Sequence, residues 1–148
     1  MDAYGALAAS YDRLTNDVDY AAVVDFCFQI LRGEGLKPRT AVDLACGTGS
    51  VTAILARKGI RVLGVDMSEE MLTVAQQKAQ SLVQPPRFVC QRLQELWLPR
   101  GVDMAVCALD SLDYITEPEG CREAIRRVYK VLNPGGIFIF DVNTPEKL

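Results

Sequence analysis

Histidine is absent from this chain. That removes a Ser-His-Asp triad, a Cys-His pair and any histidine-based metal site. The chemistry available must use carboxylates, tyrosines or a cofactor. An excess of positive charge is missing too. Lys and Arg number 16 against 19 Asp and Glu, a net charge of −3, so no global basic field points to nucleic acid. No apolar run approaches the roughly 20 residues needed to span a bilayer, so no membrane partner is expected. The opening Met1-Asp2-Ala3-Tyr4 carries no basic region leading into a hydrophobic stretch, and no secretory signal is read there. The five cysteines (Cys27, Cys46, Cys90, Cys107 and Cys121) include no C-x-x-C pair. Their odd number and their place in apolar runs suggest buried, reduced thiols in a cytoplasmic protein.

What is present fits one domain. A chain of 148 residues, 49% apolar and 24% charged, can bury one sizeable core. Apolar residues at helical spacing (Tyr20, Val24, Cys27, Leu31) predict a helix over 18–32, stopped by Gly33 and Gly35. Strands are expected at 40–45, 61–65, 87–90, 104–109 and 137–140. Helices are expected at 50–58, from Ser68 to the break at Pro85-Pro86, and at 119–131. Ser68 should cap its helix, with Met71, Ala75, Ala79 and Leu82 as the buried stripe. Ile125, Val128 and Leu132 should face inward from the last helix, and Asn133-Pro134-Gly135-Gly136 reads as a turn. Strand and helix alternate throughout, which implies right-handed crossovers and an α/β, doubly wound parallel sheet.

The segment Val42-Asp43-Leu44-Ala45-Cys46-Gly47-Thr48-Gly49-Ser50 carries the most information. An apolar run ends in an acid and a glycine turn follows at once. A second apolar run ends in Asp66, 23 positions after Asp43, about one strand–helix–strand unit. Both acids should emerge at the carboxyl edge of a parallel sheet, where nucleosides bind. A dinucleotide fingerprint needs a third glycine, and Thr52 stands there instead. Asp43 would also set a negative charge beside a pyrophosphate. A phosphate-free ligand with an amino group suits that acid better, and Gly47 and Gly49 would let the main chain approach it.

The run Asp-x-Ala-Cys-Gly-Thr-Gly resembles the first motif of class I S-adenosylmethionine-dependent methyltransferases. Asp66 resembles the family's acid for the ribose hydroxyls, and Met67 would pack on the adenine. Asp103 to Leu109 with Asp110, and Leu132-Asn133-Pro134-Gly135-Gly136-Ile137, resemble its later motifs. Tyr11-Asp12 is similar to a pair in small-molecule members whose tyrosine closes over the cofactor. The resemblance implies a Rossmann-like core over 39–148, strand order 3-2-1-4-5, behind a helical cap over 1–38. It implies S-adenosylmethionine as cofactor, a small-molecule acceptor and methyl transfer by in-line displacement. The implied cofactor contacts are Tyr11, Asp43, Ala45, Gly47, Gly49, Asp66, Met67, Gln91, Arg92, Leu93 and Leu109. Asp110 is the candidate catalytic group.

Two departures stand out. Relatives often carry an acid after the third strand, where this chain has Gln91-Arg92. The family's sheet has seven strands, and the sixth and seventh are not expected here, so the fifth would be an open edge that invites pairing, for instance in a homodimer. Two other readings stay open: a cofactor-binding or scaffolding module without turnover, and a nicotinamide-dependent oxidoreductase. Trp97, between Leu96 and Leu98, is expected to pack rather than to stack on a base.

Overall fold

The computed structural model describes residues 20–107 and 118–140. Helix α1 (Tyr20–Gly33) leads into β1 (Thr40–Leu44), α2 (Ser50–Arg57), β2 (Arg61–Asp66), α3 (Glu69–Ala79) and β3 (Arg87–Cys90). A single 3₁₀ turn, Leu93–Glu95, carries the chain to β4 (Val102–Cys107); α4 (Pro118–Val131) and β5 (Leu132–Phe140) follow. All four pairings are parallel, in the order β3-β2-β1-β4-β5. Among the described residues, no helix is long and apolar enough to cross a membrane.

Period-two alternation sorts the strand side chains into two cores. Ala41, Val62, Met104 and Val106 pack with Val24 and Leu31 of α1 and Val51 and Leu55 of α2. On the other face, Val42, Leu44, Val65 and Ala105 pack with Val128 and Val131 of α4 and with Leu93 and Leu96. The two central strands, β1 and β4, are buried almost throughout. Right-handed crossovers put α2 and α3 on one face and α4 on the other, because the chain leaves β1 in opposite directions along the sheet. The two faces are therefore unequally clothed. Between β3 and β4 only the 3₁₀ turn stands where a crossover helix would lie.

Several expected details need correction. Helix α3 ends at Ala79, before the Pro85-Pro86 break, and it buries Leu72 rather than Met71, which is only half-buried. Helix α4 buries Ala124, Val128 and Val131, while Ile125 is exposed. Ala75, Ala79 and Val128 are buried as expected, and only Met71 and Ile125 give way to a neighbour, since two adjacent apolar residues serve the pattern about equally well. The strand β4 starts at Val102, and expected positions 108–109 lie outside the described residues. The Asn-Pro-Gly-Gly turn lies inside β5. Leu132 pairs with Val102 and Ile137 with Met104, so residues 133–136 loop out opposite Asp103, with Gly135 at φ 80°. Cys90 is exposed, against the expectation of buried thiols, while Cys27 and Cys107 are buried.

Asp103 ties that loop down. One carboxylate oxygen accepts the Asn133 amide at 2.9 Å, and the other accepts the Arg39 and Thr40 main-chain N–H groups at 2.9 and 3.3 Å. Thr40 Oγ1 accepts the Asp103 N–H at 3.0 Å. The Asn133 donor, then the Arg39 N–H, hold the carboxyl below its ordinary range. One side chain thus fixes the starts of β1, β4 and β5. Asp103→Ala should lower the unfolding free energy by about 1.5–3 kcal/mol, since it strips donors from a charged acceptor. Urea denaturation at pH 7 measures this, and Asn133→Ala should show a smaller loss.

Candidate functional site

The carboxyl ends of β1 and β2 meet at one edge because Leu44 pairs with Val65. Beyond β1 the chain turns through Ala45 at φ 53°, Gly47 at φ 57° and Gly49 at φ 81°. Glycine adopts that left-handed region freely, whereas at Ala45 it costs on the order of 1 kcal/mol. The turn is held from both sides. Cys46 N–H donates to the Val65 carbonyl at 2.9 Å, and Gly49 N–H donates to the Cys46 carbonyl at 2.9 Å. A Cβ on Gly49 would sit 3.1 Å from Ala75 Cβ, so helix α3 presses against the turn.

Asp66 gathers the edge. Its Oδ2 accepts the Gly47 N–H at 2.8 Å, and its Oδ1 accepts the Ser68 N–H at 2.9 Å. Each oxygen keeps a further acceptor position, because a carboxylate offers about four. The Asp66 carbonyl accepts the Gln91 N–H at 3.0 Å, which brings the start of the β3–β4 connection alongside. Ser68 then caps α3 through its hydroxyl, which accepts the Met71 N–H at 3.2 Å. Met67 stands 68% exposed beside Asp66.

Asp43 is the hidden half of the pair. It is buried, and its Oδ2 accepts the Thr52 hydroxyl at 2.6 Å. The Thr52 main-chain N–H also favours its charged form. Helix α2 has no side-chain cap at Gly49. Asp43, reaching from the preceding strand, satisfies one of the first-turn N–H groups that would otherwise go unpaired. The sequence pattern marks Thr52 as a missing glycine. The structure makes it the fully buried partner of Asp43. Nothing in the sequence announced this pairing beyond the 3.6-residue period, which turns Thr52 toward the sheet.

Burial pushes the Asp43 carboxyl up from 3.8 to about 7; the Asp66 charge adds to that, and the Thr52 donors oppose it. The Cys46 thiol is likewise pushed up, first by burial and then by Asp43 and Asp66, which leaves it protonated and a poor nucleophile.

The remaining expected residues divide. The Gln91 amide is committed elsewhere: Nε2 donates to the Trp97 carbonyl at 3.0 Å, and Oε1 accepts the Trp97 N–H at 3.2 Å. Arg92 is exposed beside the 3₁₀ turn, and Leu93 is buried in the α4-side core. Ala45, Gly47, Gly49, Asp43, Asp66 and Met67 come together at the edge. Tyr11, Leu109 and Asp110 lie outside the described residues. Gly64 is a residue the sequence reading passed over. A Cβ there would meet the Phe88 ring at 2.6 Å and Cys46 Sγ at 3.0 Å, so a bare position in β2 lets ring and turn close together.

Comparison with known proteins agrees with this geometry. A family model described as "Methyltransferase domain" matches residues 41–136. A Bacillus subtilis protein, YqeM, named provisionally as a methyltransferase, is 38% identical over 98% of this chain and 57% of its own length. A Geobacillus sp. protein with a similar name is 34% identical over 98% of this chain and 59% of its own. The crystal structure of an S-adenosylmethionine-dependent methyltransferase from Clostridium acetobutylicum superimposes with a TM-score of 0.87 at 36% identity. It covers 99% of this chain and 60% of that one. The chain thus spans under two thirds of the length of these relatives.

Asp43 gives the edge a pH signature. In the folded state it holds a proton that the unfolded chain releases near 3.8, so its stabilisation is complete below that pH and is lost as pH rises through about 7. Asp43→Asn should flatten this fall and leave the ligand-free protein about 1–3 kcal/mol more stable than wild type at pH 8. Urea titrations at pH 5 and pH 8 measure the difference.

Proposed function

The chain belongs to the methyltransferase-domain family, and from that premise we propose that its carboxyl edge binds S-adenosylmethionine and supports methyl transfer to a small-molecule acceptor. The observation that carries the reading is the half-buried Asp66 carboxylate, held by the Gly47 and Ser68 N–H groups with acceptor positions to spare. A cis-diol offers two donors, and one carboxylate can take both. The left-handed turn at Gly47 and Gly49 exposes main chain without side chains, which suits the amino-acid end of the ligand. Exposed Met67 supplies an apolar face for the adenine. Asp43, beneath the turn, favours a cation above it and opposes a pyrophosphate. Thr52, locked to Asp43, fills the place a dinucleotide site keeps for glycine.

S-adenosylmethionine supplies a methyl group on a sulfonium, open to in-line displacement. The task left to the protein is positioning and the exclusion of water, and neither needs histidine. An apolar cavity of about 360 Å³ lies between α1 and the carboxyl ends of β4 and β5, lined by residues such as Phe26, Cys27, Val106 and Phe140. It supports an acceptor with an apolar body. Asp110 is kept in this reading as the group that receives the acceptor's proton, and Tyr11 and Leu109 as further cofactor contacts. Among the described residues β5 is one of the two edge strands, with β3 at the other side, and pairing of two copies along β5 belongs to the same proposal.

Isothermal titration with S-adenosylhomocysteine tests the assignment. Asp66→Ala should weaken binding by about 1.5–3 kcal/mol, the range for hydrogen bonds to a charged group. Asp66→Asn, which keeps one acceptor oxygen, should fall between. Undiminished affinity in both variants would overturn the role given to Asp66. Binding of NADH in place of S-adenosylhomocysteine would overturn the cofactor. Cofactor binding without transfer to a broad panel of metabolites would leave a binding module.

A further inference from the structure

The sparse crossover between β3 and β4 leaves a second concavity, which starts at the amino-terminal end of the sheet and reaches as far as Gln91, whose N–H bonds to the Asp66 carbonyl. It measures about 920 Å³ and runs across the amino-terminal halves of β1, β2 and β3 to the start of β4. Leu63 and Val89 give it an aliphatic floor, while Ala41 and Val62, whose side chains are buried on the other face of the sheet, line it only through their backbone. Three arginines line it as well: Arg61 begins β2, Arg87 begins β3, and Arg100 stands two residues before β4. All three are exposed, and among the described residues none pairs with an acid. Arg122, Arg126 and Arg127 pair with glutamates of α4, while Arg32, Arg39, Arg57 and Arg92 are exposed without an acid partner among the described residues too, so it is the grouping of three in one concavity that marks this site. Trp97 also lines the concavity and is 64% exposed, against the packing role expected of it. The Gln91 amide holds its main chain in place.

We propose that this groove is a docking site for an acidic amphipathic helix of a partner protein, with apolar side chains on the sheet face and carboxylates on Arg61, Arg87 and Arg100. Charge complementarity selects the occupant. The chain as a whole is acidic, with a net charge of −3, so an acidic partner is attracted only where arginines cluster without carboxylates beside them. The aliphatic floor separates this site from one built for nucleic acid, where phosphate contacts dominate. Size agrees as well. Four adjacent strands span about 14 Å, at some 4.8 Å per interval, which matches a helix of roughly ten residues. An exposed tryptophan with arginines beside it is the composition of an interface anchor.

The test uses a fluorescein-labelled helical peptide of about twelve residues, with leucines along one face and glutamates flanking them. Fluorescence anisotropy should show saturable binding to the full chain, weakened at least about tenfold in the Arg61→Glu, Arg87→Glu double variant. Trp97 is the chain's only tryptophan, so its emission should shift as the peptide binds. S-adenosylhomocysteine affinity should be the same in wild type and double variant, which keeps this result apart from the cofactor assignment. If the double variant melts at a lower temperature, the single Arg61→Gln and Arg87→Gln variants carry the measurement, each with a smaller loss. Equal binding by a peptide with lysines in place of the glutamates would overturn the proposal. So would undiminished binding by the arginine variants, or tighter binding of a labelled uridine RNA of the same length.

Discussion

Two carboxylates at the tips of neighbouring parallel strands organise the edge on which everything else depends. Asp66 draws the glycine turn and the start of α3 onto its two oxygens. Asp43, one strand over and buried, takes the Thr52 hydroxyl and so fixes the start of α2. Asp43 supplies from the sheet the cap that α2 lacks, whereas α3 keeps its own Ser68 cap and Asp66 fixes the approach to it. The helix ends, the turn and the strand tips are thereby set relative to one another before any ligand arrives. The cost is a buried acid whose charged form is disfavoured near neutrality. A cationic ligand above the turn would offset that cost, which is a physical reason for an acid at this position in a phosphate-free site.

The opposite edge is organised by a third acid with a structural task. Asp103 gathers donors from β1 and from the loop inside β5, so the sheet is tied at both ends by carboxylate-to-amide hydrogen bonds. Between these ties the two faces differ. Among the described residues three helices cover one face, while the other has α4 and a single 3₁₀ turn. The exposed sheet surface and the arginines around it follow from that short crossover.

Much of this was legible in the sequence. The strand at Arg87–Cys90 and the Ser68 cap follow from an apolar run and a capping residue, and the order 3-2-1-4-5 is what the family resemblance implies. The errors share a cause. Where two adjacent apolar residues could each serve the stripe, as with Met71 and Leu72, the choice depends on the facing surface, which periodicity does not contain. The same holds for Trp97. Flanked by leucines it reads as core, yet Leu96 is the buried residue and the exposed indole lines the same concavity as Arg61 and Arg87, which come from other strands.

By itself, the sequence determined the alternating architecture and the two acids of the carboxyl edge, because alternation of strand and helix, glycine turns and chain-order spacing are local properties. Only the tertiary structure decided which of the two acids is buried, that Thr52 rather than a glycine completes the first turn, and that Gln91 spends its amide on Trp97. It also decided where the sheet is left bare. Each of these depends on which groups from separate strands compete for the same space and the same hydrogen bonds, and that competition exists only once the chain has folded.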